Sequence, residues 1–173
     1  MKDYLLLFLI SLLPVALSAF VYLAERSKAV EKIPYALRQI IIGILFGGLA
    51  IVGTEFGIRI DGAVINARDA SPVCAGLLFG APAGIIAGVI GGVERWFAVL
   101  WGAGEYTRLA CSISTVLAGV FAAVLRKYMF DNKKPKWYYC LATAVITEVI
   151  HMLMIFLTNM TDARTAFSFV RAC

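Results

Sequence analysis

Three polar residues stand close together in the stretch VINARDASP, residues 64–72, of a chain that is otherwise strongly apolar. They are Asn66, Arg68 and Asp69, and they lie well away from the nearest plausible membrane boundary on either side. A charged side chain at that depth costs about 2.5 kcal/mol or more, so such residues usually serve a function. The stretch therefore predicts a buried polar site.

A second arginine and two further polar residues are expected at the same depth. If the segments on either side of Gly80 form an antiparallel helical hairpin, Arg95 lies opposite Arg68. The next segment enters from the same side and carries Cys111 and Ser114, whose spacing of three places them on one helix face. The candidate ligand-binding residues are Asn66, Arg68, Arg95, Cys111 and Ser114.

Two arginines at one level repel each other unless a negative group lies between them. Guanidinium groups bind carboxylates through two parallel hydrogen bonds, which favours a pocket for a small organic anion that is reached from outside. In the alternative interpretation, Asp69 and Glu94 neutralise Arg68 and Arg95, and the cluster is only structural. Charge counting leaves both open, although ionisable residues inside a membrane favour a function.

Glu148 and His151 form a second polar pair in a later apolar segment. Their spacing predicts that both face the interior of a helical bundle, where they could relay protons or couple ligand binding to movement. The alternative is a hydrogen-bonded pair that only holds helices together. One histidine and scattered carboxylates do not match the spacing of a metal site, and neither a cofactor motif nor a nucleophile–base pair is recognisable. We therefore expect neither a cofactor nor an enzyme active site.

The composition places the chain among polytopic membrane proteins. Of 173 residues, 61% are hydrophobic and 16% are charged, with a mean hydropathy of +0.86, whereas soluble domains are about 45–50% apolar and about 25% charged. The net charge of +5 is explained by basic cytoplasmic loops rather than by nucleic-acid binding. The four cysteines form no CxxC pair. Residues 1–173 are expected to form a single domain.

The apolar segments predict an all-α bundle of about six transmembrane helices. The first could be a signal peptide, but its uncharged run is long enough to span, and we interpret it as a retained helix. A further segment, beginning near residue 163 and ending at 173, is too short to cross. The six predicted spans are residues 4–23, 39–57, 60–80, 81–101, 109–125 and 137–158.

The basic residues set the expected topology. Two strongly basic loops, residues 24–38 and 126–136, should both face the cytoplasm. The region between them must then cross an even number of times, which two spans joined by a turn at residues 80–82 satisfy. The N-terminus is then outside. Glycines at every fourth position from Gly80 to Gly92 form one smooth face, which predicts close helix packing.

Two stretches resemble a known family of membrane receptors. NARDASPVCAGLLFGAPAGIIAGVIGGVERW and the following RLACSISTVLAGVFAAVL are similar to the LytS–YhcK-type five-transmembrane sensor domain. That pattern contains an Asn-x-Arg, a glycine-rich hairpin, a second arginine near the end of the next span, and a cysteine followed three residues later by a serine. These positions fall on Asn66, Arg68, Arg95, Cys111 and Ser114.

The resemblance implies a sensor domain in the bacterial inner membrane. In that family the domain precedes a cytoplasmic histidine kinase or diguanylate cyclase, some members respond to small carboxylates such as pyruvate, and a receptor of this kind is usually dimeric. This chain departs from the pattern in a longer linker, FAVLWGAGEYTRLA, which changes the expected pocket mouth. Its end at residue 173 suggests a domain truncated within its last helix, without its output domain.

Two other functions remain compatible with the sequence. The arrangement also resembles the small substrate-binding subunits of energy-coupling-factor transporters, which are compact glycine-rich six-helix units that need partner proteins. Alternatively, the glycine face forms a dimer interface and the charged cluster is internal to a structural unit. Uptake into vesicles would favour the transporter, and loss of the fold without any ligand binding would favour the structural unit.

Overall fold

The computed structural model describes residues 2–27, 30, 32–60, 63–102, 104–160 and 164–167. Helices dominate these residues, and one short β-hairpin interrupts them. The elements are α1 (Lys2–Ala24), α2 (Tyr35–Glu55), β1 (Ile58–Ile60), β2 (Ala63–Ile65), α3 (Ala70–Cys74, continued by a π-helical turn Ala75–Phe79), α4 (Ala81–Phe97, continued by a 3-10 turn Ala98–Trp101), α5 (Arg108–Val124, continued by a π-helical turn Leu125–Met129) and α6 (Trp137–Thr158).

Within the described part of the chain, five helices are long and apolar enough to cross a membrane: α1, α2, α4, α5 and α6. Their outer surfaces carry large exposed apolar side chains, such as Leu9 on α1 and Val89 on α4. A surface of this kind suits lipid rather than water. The polytopic all-α bundle is therefore confirmed. The last predicted segment, residues 163–173, lies outside the described residues except for 164–167.

The third predicted span is not a transmembrane helix, so this part of the prediction was wrong. Strands Ile58–Ile60 and Ala63–Ile65 instead pair antiparallel, with Ile58 opposite Ile65, because β-branched residues at close spacing favour strands. The short helix α3 and its π turn then cover residues 70–79. At about 1.5 Å per residue, ten helical residues reach about half of a bilayer core of about 30 Å. The irregular residues 66–69 therefore lie deep inside the bundle.

Both basic loops lie at the same end of the bundle, as the charge pattern predicted. Glu25 Oε1 lies 3.7 Å from Arg38 Nε, and Glu25 Oε2 lies 3.4 Å from Lys134 Nζ. These residues and Arg126 line one cavity together with Gly80, the turn between α3 and α4. The chain between the two loops therefore returns to the end of the bundle from which it starts.

Gln39 fixes the turn between α3 and α4 from the neighbouring helix. Its side chain is 1% exposed, its Nε2 donates to the Phe79 carbonyl at 2.9 Å, and its Oε1 accepts from the Ala83 N–H at 3.2 Å. The turn residue Gly80 has φ +148°, which other residues rarely adopt. One buried amide thus satisfies backbone groups at the end of α3 and the start of α4.

Glycines allow α4 to pack closely against two helices. On one side, α2 places Gly43 and Gly47 against Ile86 and Ile90. On the other side, Gly84 and Gly88 meet α5 so closely that a Cβ at Gly119 would lie 2.3 Å from the Gly84 carbonyl oxygen. The predicted role of the glycine face of α4 in helix packing is confirmed, and it lets polar side chains from α2, α4 and α5 meet at one layer.

We expect Gly119→Ala to destabilise the bundle by about 1–3 kcal/mol, because the added methyl group meets a backbone oxygen that cannot rotate away. Thermal unfolding of purified protein in detergent measures the effect. The matched control is Gly48→Ala on α2, where an added Cβ would meet nothing within 4 Å. Equal melting temperatures for the two variants would contradict the close approach of α4 and α5.

Candidate functional site

The break between β2 and α3 carries the first two site residues into the interior. Arg68 is 0% exposed and Asp69 is 3% exposed. These two consecutive side chains are both buried. Irregular backbone is tolerated at membrane depth only where it is buried in protein or lines a cavity. A Cβ at Gly53 of α2 would lie 3.0 Å from the Arg68 Cα, so α2 packs directly on this break.

The guanidinium group of Arg68 contacts two neighbouring helices. Its Nε lies 2.7 Å from Thr115 Oγ1 of α5, and its Nη1 lies 3.4 Å from Thr54 Oγ1 of α2. The backbone N–H of Arg68 donates to Asn66 Oδ1 at 3.1 Å. Asn66 therefore positions the arginine through its backbone. The Nη2 of Arg68 has no hydrogen-bond partner among the described residues.

Asp69 is the acid that neutralises Arg68. Its Oδ1 lies 3.4 Å from Arg68 Nε and accepts from Thr115 Oγ1 at 2.6 Å, while its Oδ2 lies 2.8 Å from Nδ1 of His151 on α6. These contacts pair the carboxylate with Arg68 and connect it to both α5 and α6.

Arg95 is buried without an acid partner among the described residues. It is 0% exposed, and its Nη2 donates to the Gly104 carbonyl at 2.7 Å and lies 3.2 Å from Thr107 Oγ1. Its Nε and Nη1 have no hydrogen-bond partner within the described ranges. The ion pair between Arg95 and Glu94 that the structural interpretation requires is not found there.

The two arginines are offset rather than directly opposite, which corrects the simple hairpin geometry. The position facing the Arg68 side chain on α4 is Gly91, where a Cβ would lie 3.9 Å from Arg68 Cδ. Arg95 is four residues, about one helical turn, further along α4. The offset arises because the broken segment and its π turn do not follow ideal helical spacing.

Cys111 lies on α5 between the points where the two arginines contact that part of the chain, while Ser114 lies to one side. Thr107, one turn before Cys111, contacts Arg95, and Thr115, one turn after it, contacts Arg68. Ser114 is 2% exposed and lines a mostly apolar groove of about 250 Å³ between α5 and α6, together with Thr147. The structure thus joins Asn66, Arg68 and Cys111, with Arg95 adjoining them.

The second predicted pair is split by the structure. His151 is 8% exposed, and its Nε2 lies 3.3 Å from Cys111 Sγ. Glu148 is exposed on the outer surface of α6, so the prediction that both face the interior was wrong for Glu148. A spacing of three residues leaves two side chains about 60° apart around a helix. His151 therefore sits at the interface and Glu148 just outside it.

Sequence reasoning missed Thr54, Thr115 and the link from Asp69 to His151. Thr115 follows Ser114 directly and lies four residues after Cys111, so its place on the same helix face was readable in principle. The expectation of no nucleophile–base pair was also wrong in its geometry, because Cys111 and His151 meet from different helices. Within the part of the chain that the structure describes, no group of three or more His, Cys, Asp or Glu residues could hold a metal ion.

Comparison with known proteins identifies the family. Residues 21–173 match the family model 5TM-5TMR_LYT, described as "5TMR of 5TMR-LYT". This match covers most of the chain, so the chain belongs to the 5TMR-LYT membrane sensor family, and it is a multi-pass protein of the bacterial inner membrane.

The matched relatives are much longer sensor kinases. The chain is 30% identical to the sensor histidine kinase BtsS of Escherichia coli (strain K12) over 116 residues, which are 65% of this chain and 20% of that protein. It is 27% identical to the sensor histidine kinase YpdA of the same strain over 119 residues, which are 69% of this chain and 20% of that protein. The chain thus spans about a fifth of the length of these relatives. No solved structure matches it at a significant level.

We expect Thr115→Val to cost about 1–3 kcal/mol of stability, because Arg68 and Asp69 lose a buried hydroxyl that bonds to both. Unfolding in detergent, followed by circular dichroism, measures the change. The matched control is Thr143→Val on α6, whose buried hydroxyl donates only to the Tyr139 carbonyl one turn earlier. If Thr143→Val cost as much as Thr115→Val, the hydroxyl of Thr115 would have no special part in the polar cluster.

Proposed function

We propose that this domain senses a small organic anion, most simply a carboxylate such as pyruvate. The observation that carries the proposal is a set of buried donors: Arg68 Nη2, Arg95 Nε and Arg95 Nη1 have no hydrogen-bond partner among the described residues. Of the two buried guanidinium groups, only that of Arg68 has a carboxylate, Asp69, within ion-pair distance among those residues. A buried charge is costly unless it is paired, and a bound carboxylate supplies both the charge and the acceptors.

The proposed roles follow from the contacts. Arg68 and Arg95 bind the carboxylate, and Asn66 holds the backbone of Arg68 in place. Cys111 lines the site between the arginines, and Ser114 borders it from the groove beside α6. The candidate residues for coupling to movement are Glu148 and His151, of which His151 reaches the site through Asp69.

The proposed orientation places the two basic loops in the cytoplasm and the N-terminus outside. The offset of Arg95 toward the end of α4 that lies away from those loops supports entry of the anion from the outer side. Since the matched relatives BtsS and YpdA are sensor histidine kinases, we propose that residues 1–173 belong to one sensor domain of a dimeric receptor with a kinase output domain. Coupling requires the anion to bind one helix arrangement better than another.

Isothermal titration of purified protein in detergent with a panel of small acids, led by pyruvate, tests the proposal. We expect saturable binding by the wild type and a loss of at least about tenfold, or about 1.4 kcal/mol, in both Arg95→Gln and Arg68→Lys. The lysine keeps the charge of Arg68 but not its planar fork. Arg26→Gln, which removes an exposed basic residue of the first loop, is the matched control and should bind as the wild type does.

Absence of binding by folded wild-type protein would contradict the anion site and return both arginines to a structural role. Reconstituted vesicles separate the two ligand-binding functions that the sequence left open. Binding without uptake of labelled acid supports the receptor, whereas uptake that requires partner proteins would replace it with a substrate-binding subunit of a transporter.

A further inference from the structure

Three buried side chains from three parts of the fold form a line beside the arginines. Asp69 Oδ2 lies 2.8 Å from His151 Nδ1, and His151 Nε2 lies 3.3 Å from Cys111 Sγ. All three are at most 8% exposed. Holding a carboxylate needs the two arginines, but it does not need an imidazole placed against a thiol. The line therefore calls for an explanation of its own.

The hydrogen-bond pattern assigns the imidazole proton. A carboxylate oxygen only accepts, so Nδ1 of His151 carries the proton that faces Asp69. In the neutral ring, Nε2 then presents its lone pair to Cys111, whose S–H is the donor. A base held by a carboxylate against a nucleophile is the arrangement that activates thiols and hydroxyls. Arg68 and Arg95, which contact Thr115 and Thr107 one turn after and one turn before Cys111, place two positive charges near the thiol, and nearby cations favour a thiolate.

The position of the thiol indicates which electrophile it can reach. A carboxylate bound by Arg68 and Arg95 places its neighbouring carbon close to Cys111, because this residue lies one turn from Thr115, which contacts Arg68, and one turn from Thr107, which contacts Arg95. In a 2-oxo acid that carbon is an electrophilic ketone, whereas in a saturated acid or a 2-hydroxy acid it is unreactive. The site thus combines an anion anchor with a nucleophile one carbon away.

We propose that Cys111 adds reversibly to the keto carbon of a bound 2-oxo carboxylate, an inference that rests on the proposed function. The Sγ–C bond forms as the C=O π bond opens, and the thiol proton passes through His151 Nε2 to the keto oxygen. The product is a hemithioketal, with no atom lost and no oxidant needed. The reverse path through the same imidazole releases the acid, which suits a sensor that must follow ligand concentration.

This chemistry sets the ligand class. A 2-oxo acid gains one covalent bond beyond what the carboxylate alone provides, so the domain distinguishes it from a saturated acid of the same size. His151 acts as a positioning and proton-transfer residue, and Asp69 holds it in the required tautomer while neutralising Arg68. The same carboxylate thus serves the anion site and the thiol.

Carbon-13 NMR with sodium pyruvate labelled at the keto carbon tests the addition on the full chain in detergent. We expect a protein-dependent resonance in the region of tetrahedral carbon bonded to sulfur, distinct from the hydrate of free pyruvate. It should disappear in Cys111→Ala and persist in Cys74→Ala, the matched control on α3. His151→Gln should slow the exchange between free and bound pyruvate.

Titration with sodium propanoate, which lacks the keto group, separates this inference from the proposed function. The wild type should bind pyruvate at least about tenfold more tightly than propanoate, or by about 1.4 kcal/mol, and Cys111→Ala should bind the two alike. A melting temperature in detergent equal to that of Cys74→Ala shows that Cys111→Ala is folded. Equal binding of both acids by the wild type, with an unshifted keto carbon, would overturn the addition and leave the anion site standing. Binding of neither acid would overturn both.

Discussion

A guanidinium group buried at membrane depth needs a counter-charge and acceptors for its N–H groups, and this requirement shapes the centre of the bundle. For Arg68 the requirement is largely met: Asp69 supplies the charge, and hydroxyl groups of Thr54 and Thr115 supply further oxygens. For Arg95 it is not met within the described residues, since only backbone and hydroxyl oxygens are offered to one of its nitrogens. The difference between the two arginines is the physical basis of the proposed anion site.

The architecture around the site follows from bringing these groups together. Between α2 and α4 the chain forms two short strands and a short helix instead of a transmembrane helix. The irregular residues between them place Arg68 and Asp69 in the interior. The glycines of α2 and the glycine face of α4 let α2, α4 and α5 approach closely enough for Thr54 and Thr115 to reach Arg68. Where α3 ends and α4 begins, the buried amide of Gln39 forms hydrogen bonds to the backbone on both sides of Gly80. Packing by small residues and local polar capping therefore work together.

The sequence was sufficient to predict the long apolar helices, the common side of the basic loops and the packing role of the glycine face, because hydropathy, charge and small-residue spacing report them directly. It also brought Arg68, Arg95 and Cys111 to one region. The two strands Ile58–Ile60 and Ala63–Ile65 were missed because the segment is apolar enough to be predicted as a transmembrane helix. The exposure of Glu148 and the contact between Cys111 and His151 depend on helix rotation and on packing between distant segments, which spacing within one helix does not determine.

The central claim is that Arg68 has a counter-charge within the protein, Asp69, whereas Arg95 gains a counter-charge when an external anion binds. The most direct test compares the melting temperatures of Arg68→Met and Arg95→Met with that of the wild type, in detergent and without any added organic acid. We expect Arg68→Met to lose about 3–5 kcal/mol, because it removes the arginine that is ion-paired with the buried Asp69. Arg95→Met should stay within about 1 kcal/mol of the wild type, since replacing an unpaired buried charge by an apolar side chain offsets the lost hydrogen bonds. If Arg95→Met were as unstable as Arg68→Met, Arg95 would be a structural residue and the account would be contradicted.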